Sequence, residues 1–125
     1  MKGKVVLVRF PFDDLSATKV RPAVCLTEPI GAHGHLVVAF VTSRLPPDLL
    51  DSDVVLREND SDFAATGLRV TSALRVHRLM TVARNVILRE LGVLAPARLQ
   101  EVESRLQRLF GLTVKPPPAS PPTGR

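Results

Sequence analysis

The sequence predicts a mainly β domain, a small antiparallel barrel or sandwich closed by one C-terminal helix. Three observations predict it. Short runs rich in β-branched residues recur between clusters of Gly, Pro, Asp and Ser. The clearest three- and four-residue apolar spacing comes late, after Pro96. The order is five or six strands followed by a helix, which is the pattern of a sheet folded on itself and capped.

The elements follow in order. Lys4–Arg9 (KVVLVR) reads as a first strand. Pro11 lacks an N–H and Asp13-Asp14-Leu15-Ser16 favours turns, so a loop of about ten residues is expected up to Lys19. Strand two is expected over Pro22–Thr27, with proline at its start. Glu28–Gly34 (EPIGAHG) reads as a hairpin loop. Leu36–Thr42 (LVVAFVT) is continuously apolar, which suits the most buried strand. Ser43–Ser52, with Pro46-Pro47, is a connection, and Asp53–Arg57 a short strand. Glu58–Thr66 is acidic and turn-rich. Two further strands are expected over Leu68–Leu74 and His77–Ala83, while Arg84–Leu91 suits strand or helix equally. Pro96 fits the first turn of a helix whose apolar face is Leu99, Val102, Leu106 and Leu109, and Gly111 fits its C-terminal cap. An SH3-like barrel is the natural candidate, although composition does not choose it over an OB-type barrel.

At 125 residues the chain has the length of one ordinary domain, large enough to bury a core without disulfides. The domain is expected over residues 1–114. Residues 115–125 (KPPPASPPTGR) hold five prolines and read as a disordered tail that function does not need. The one cysteine, Cys25, lies in an apolar run and is expected to be a buried strand residue rather than a reactive thiol. No Cys/His cluster has zinc spacing, so no metal or other cofactor is expected. No membrane span is long enough, and the N-terminus runs straight into strand-like sequence, so a cytoplasmic protein is the expectation.

Net charge is +5, unevenly spread. Residues 48–62 carry six acids against Arg57, about −5, which leaves about +10 for the rest of the chain. Thirteen of the 17 cations are arginine, whose fork suits phosphate. A basic body invites a polyanion. With no Trp or Tyr and five Phe, an aromatic stacking platform is not expected. The acidic stretch reads as a solvated loop that a polyanion would avoid.

Two segments carry a family resemblance. The first is Val5–Ser16 (VVLVRFPFDDLS) followed by Lys19-Val20-Arg21-Pro22-Ala23-Val24, in which a strand ends in Phe-Pro-Phe-x-Asp-Leu-Ser and Lys-x-Arg-Pro opens the next. The second is Val41-Thr42-Ser43. Ser72-x-Leu74-Arg75-Val76-His77-Arg78-Leu79, Thr81 and Leu91-Gly92-x-Leu94 add support in order. The set resembles the MazF/PemK toxins of type II toxin–antitoxin systems. That resemblance implies an SH3-like antiparallel barrel of the CcdB/PemK kind with a C-terminal α-helix. It also implies a metal-independent endoribonuclease, usually sequence-specific, that cleaves single-stranded RNA. Attack by the substrate's 2′-hydroxyl leaves a 2′,3′-cyclic phosphate. The implied partners are a cognate antitoxin and a second copy of the chain.

Arg21 and Thr42 match the family's catalytic arginine and threonine. Arg21 can hold two phosphate oxygens as charge develops, and the Thr42 hydroxyl can hydrogen-bond a nonbridging or leaving oxygen. If strands two and three pair antiparallel, these residues fall at ends that meet. Lys19 and Ser43 are phosphate-contact candidates. Asp14 and Ser16 either line the substrate or shape a turn. His33 and His35 flank Gly34 in the expected hairpin and are read as solvated. Two other functions fit the same fold: a non-catalytic RNA- or protein-binding module, and a gyrase poison of the CcdB kind.

Overall fold

The computed structural model describes residues 1–11 and 18–112. Six antiparallel strands form one sheet: β1 Lys4–Pro11, β2 Thr18–Cys25, β3 Leu36–Thr42, β4 Asp53–Leu56, β5 Ser72–Val82 and β6 Ile87–Val93. Their spatial order is β4-β5-β3-β2-β1-β6. One helix, α1, runs from Pro96 to Leu109. The mainly β architecture with a terminal helix is as the sequence predicts, but no hydrogen-bonded pairing joins β4 to β6 among the described residues.

Apolar side chains pack on both faces of the sheet. One face carries the main core, where Val5, Val24, Ala39, Val41, Leu74 and Val76 meet Leu94 and Val102. The opposite face buries Val6, Val8, Ala23, Cys25, Leu36 and Val38. Neighbours along a strand point opposite ways, so Val5 and Val6, or Val38 and Ala39, enter different clusters. Both faces need apolar residues, which explains why β3 is an unbroken apolar run.

Several boundaries differ from expectation. β1 continues to Pro11 and β2 begins at Thr18, so Pro22 lies inside β2 rather than at its start. The reason is one-sided pairing. β2 pairs with β1 from Thr18 to Val24, but with β3 only from Ala23 to Cys25. Before Ala23 it behaves as an edge, where a residue without an N–H is tolerated. The two strands expected over 68–74 and 77–83 are one strand, β5, with an irregularity between them. Gly67 precedes the expected strand rather than opening β5, which begins at Ser72. It ends a short 3₁₀ turn, Ala64–Thr66, with φ +73°. Arg84–Val86 is a second 3₁₀ turn leading into β6.

The last helix begins with Pro96 in its first turn, as its sequence suggests. It ends in a left-handed glycine cap: Gly111 has φ +68°, its N–H donates to the Arg108 carbonyl at 3.2 Å, and the Leu112 N–H donates to that of Gln107 at 2.8 Å. Val102 is buried and Leu99 and Leu106 pack on the core, whereas Leu109 departs from the expected face and is exposed.

The acidic segment is not the solvated loop its charge suggests. Asp53 is buried in β4, and Asp60 and Asp62 both bind Arg98 of α1, at 3.2 and 3.3 Å. These contacts tie the segment to the helix. A second tie is steric. A side-chain carbon at Gly92 would stand 2.1 Å from the Ala65 carbonyl oxygen, and one at Gly67 would stand 2.0 Å from that of Leu91. The 3₁₀ turn and β6 therefore approach backbone to backbone, which requires glycine on both sides.

Candidate functional site

A cleft of about 340 Å³ opens where β2 and β3 part. The β2–β3 ladder ends at Ala23↔Phe40. Beyond it, Arg21 reaches the cleft from β2, and Phe40, Thr42 and Arg44 reach it from β3 and its exit. β5 contributes Arg75, Arg78 and Met80.

The β5 irregularity decides what that strand presents. Ala39 pairs with Leu79, but the next β3 residue, Phe40, pairs with Arg75, so residues 76–78 are taken up against a single step of β3. In a regular strand, residues 75 and 78 would face opposite ways. Here both arginines line the cleft, while Val76 and Leu79 both turn to the main core.

Thr42 is half-buried and its hydroxyl is oriented locally. Its Oγ1 accepts the Arg44 N–H at 3.1 Å and reaches the Arg44 carbonyl at 3.3 Å. One lone pair is thus occupied, while the weak bond made by its proton can be exchanged for one to a ligand oxygen. Arg75 is held from behind. Asp53 stands opposite it across β4 and β5, and Arg75 Nε donates to Asp53 Oδ1 at 2.8 Å. The other Asp53 oxygen accepts the Leu50 N–H at 2.8 Å, and His77 Nδ1 lies 3.9 Å from Oδ1.

The structure brings Arg21 and Thr42 into one cleft. Lys19 lies exposed two residues before Arg21 on β2, outside the lining, and Ser43 is exposed beside Thr42 and also outside it. Asp14 and Ser16 fall outside the described residues, as does the tail. His33 and His35 sit at the exposed hairpin, their rings 5.9 Å apart and edge-on. Cys25 is fully buried, and burial pushes its thiol up to about 11, so it remains a neutral packing residue. Among the described residues no cluster of three His, Cys, Asp or Glu side chains is arranged to hold a metal.

Sequence reasoning did not single out Arg44, Arg75 or Arg78 as site residues. Arg75 and Arg78 lie in a motif segment, but alternation sets them on opposite faces, and only the irregular pairing reunites them. Arg44 had a signal: it follows Thr42 by two residues, as an arginine beside a phosphate-contact candidate.

Comparison with known proteins places the chain in a family. Residues 1–110 match the family model described as PemK-like, MazF-like toxin of type II toxin–antitoxin system. The chain belongs to that family. No curated protein sequence matches it. Solved structures share the fold of this MazF-like toxin. The Mycobacterium tuberculosis toxin MazF-mt6 is 19% identical, with a TM-score of 0.67, over 89% of this chain and 99% of that one. A MazE–MazF structure from Deinococcus radiodurans is 21% identical, with a TM-score of 0.70, over 89% and 95%. An endoribonuclease in complex with its cognate antitoxin from a mycobacterial species is 17% identical, with a TM-score of 0.66, over 92% and 98%.

Proposed function

We propose that this MazF-like toxin is an endoribonuclease that cuts single-stranded RNA through the substrate's own 2′-hydroxyl and is neutralised by a cognate antitoxin. The meeting of Arg21 and Thr42 in one arginine-lined cleft is the observation that carries this reading.

In the proposed reaction the 2′-oxygen bonds to phosphorus, the bond to the 5′-oxygen breaks, and a 2′,3′-cyclic phosphate and a 5′-hydroxyl result. A proton leaves the 2′-hydroxyl and one reaches the 5′-oxygen. Negative charge gathers on the nonbridging oxygens between those events. Arg21 stays cationic throughout, so its role is to hold that charge with its fork. The Thr42 hydroxyl, steadied by the Arg44 N–H, donates to a nonbridging or leaving oxygen. Arg44 and Arg78 supply further positive charge in the cleft, and Lys19 and Ser43 meet the chain at its margins. The route uses no metal.

The same charge invites the inhibitor. An acidic, partly disordered antitoxin segment with apolar anchors would occupy the cleft and compete with RNA directly. The apolar part is needed because exposed ion pairs are screened beyond about 8 Å at cellular salt. The working unit is a homodimer in the cytoplasm.

The test is incubation with single-stranded RNA in excess EDTA. Discrete fragments ending in 2′,3′-cyclic phosphate are expected. Products with 5′-phosphate ends, or activity that appears only with Mg²⁺, would overturn the mechanism. RNA retained on an intact protein without cutting would favour a binding module.

A further inference from the structure

One arginine of the cleft is built differently from its neighbours. Among the described residues, Arg21, Arg44 and Arg78 have no carboxylate within ion-pair distance, whereas Arg75 is bound to Asp53, whose side chain is wholly buried. A phosphate approaching Arg75 meets a guanidinium already compensated by that carboxylate. The pair is close to neutral and is a poor anion site. It is a good site for a neutral group that offers acceptors to a fixed fork of N–H donors.

We propose that Arg75, held by Asp53, reads a guanine base of the bound RNA and so sets the sequence preference at one position beside the cut. The proposal rests on the reading of the cleft as an RNA site. Its chemistry is that of edge recognition. The bond from Nε to Asp53 Oδ1 fixes the guanidinium, and the two Nη groups remain as donors. Guanine presents two adjacent acceptors, O6 and N7, to such a fork. Adenine sets its N6 amino group beside N7, a donor facing a donor. Uracil sets an N–H beside O4. In a single strand these edges are open to side chains. Phe40 and Met80 give the cleft an apolar wall against which a base face can lie, and about 340 Å³ admits a purine with part of its sugar.

The experiment uses an RNA oligonucleotide scanned one position at a time through guanine, 7-deazaguanine, adenine, cytosine and uracil. Cleavage rates are measured, and affinities are measured on the same set with 2′-O-methyl sugars, which cannot be cut. Full-length protein, Asp53→Asn and Arg75→Lys are compared, each checked for folding by thermal melting. Arg75→Lys keeps the charge and loses the fork; Asp53→Asn keeps an acceptor and loses the compensation. One position should prefer guanine, and 7-deazaguanine, which lacks N7, should lose about tenfold there. Both variants should lower the guanine-over-adenine ratio by about ten- to a hundredfold, through affinity or KM, a selective change that general destabilisation does not produce. Indifference to the base, a preference for cytosine, or a guanine preference that survives Arg75→Lys would overturn the proposal. Guanine-selective binding without cleavage would support it while ending the nuclease reading. RNA neither bound nor cut would end both.

Discussion

Arg21 and Thr42 would stand opposite one another if the register of Ala23↔Phe40 continued for two more residues, but the ladder between β2 and β3 stops first. Pro22, between Arg21 and the last pair, brings no N–H to extend it. The absent pairs leave the gap in which both side chains meet the cleft. A break in the sheet thus makes the cleft, and the two side chains line it from neighbouring strands.

That arrangement predicts the effect of removing either group. Arg21→Ala and Thr42→Ala should each lower RNA cleavage by about a hundred- to a thousandfold, the usual cost of one preorganised donor. Both proteins should melt close to wild type, since Arg21 is exposed and Thr42 only half-buried. His33→Ala and His35→Ala should change the rate little. A rate lost with the histidines and kept with Arg21→Ala would refute the assignment.

Burial of Cys25 gives a pH-dependent expectation. Its thiol rises from 9.0 to about 11 through desolvation, the largest influence, so the folded state favours the neutral form. The stabilisation is fully present below pH 9.0 and is lost as pH climbs toward about 11, because the unfolded thiol ionises first. At pH 8, iodoacetamide should leave the native protein unmodified and alkylate it in denaturant. Rapid native labelling would show that the strand opens.

The backbone contact between the 3₁₀ turn and β6 predicts intolerance to a single methyl. Gly92→Ala and Gly67→Ala should each destabilise the fold by about 1–3 kcal/mol, the common range for overpacking, toward its upper end because a carbonyl lies in the way. Gly31→Ala is the control, since open space surrounds that position and only its φ of +72° is strained. Urea midpoints for the three variants would check this. Equal losses at Gly67 and Gly31, which share a positive φ, would show that backbone conformation and not crowding governs Gly67, and an unchanged midpoint for Gly92→Ala would show that the contact there relaxes.

Arg98 binds Asp60, Asp62 and Glu101 with its side chain 20% exposed, and bonding to Asp62 raises its already high affinity for the proton. Arg98→Ala should cost about 1–2 kcal/mol, discounted for solvent screening, and leave three carboxylates crowded together. Salt should narrow the difference from wild type in a melting series. An unchanged melting temperature at low salt would mark the cluster as energetically idle.

The readable parts of the fold were those governed by local chemistry. Pro96, the spacing of Leu99, Val102 and Leu106, and Gly111 fixed the helix, because caps and amphipathic faces are written in neighbouring residues. The unbroken apolar run of β3 announced burial on both faces. What escaped depended on pairing between distant segments. Pro22 reads as a strand start until β2 is known to be one-sided there. Asp53 reads as one more charge in an acidic stretch until Arg75 is found across from it, 22 residues away. At the cleft, Arg21 and Thr42 were visible as motif residues, whereas Arg75 and Arg78 were hidden by a register shift that no local pattern encodes.

That shift also bears on how the gene can change. Point substitutions at residues 76–78 alter one side chain each, but the loss of a single codon there leaves two residues where three are now taken up against one step of β3. Plain alternation would then keep the side chains on their faces, but one flank would slide two residues along β3, and the pairs Ala39↔Leu79 and Phe40↔Arg75 could not both persist in a regular ladder. This stretch should therefore tolerate changes of residue type more readily than changes of length, and a set of scanning deletions would find its sharpest threshold beside His77 rather than at the exposed turns.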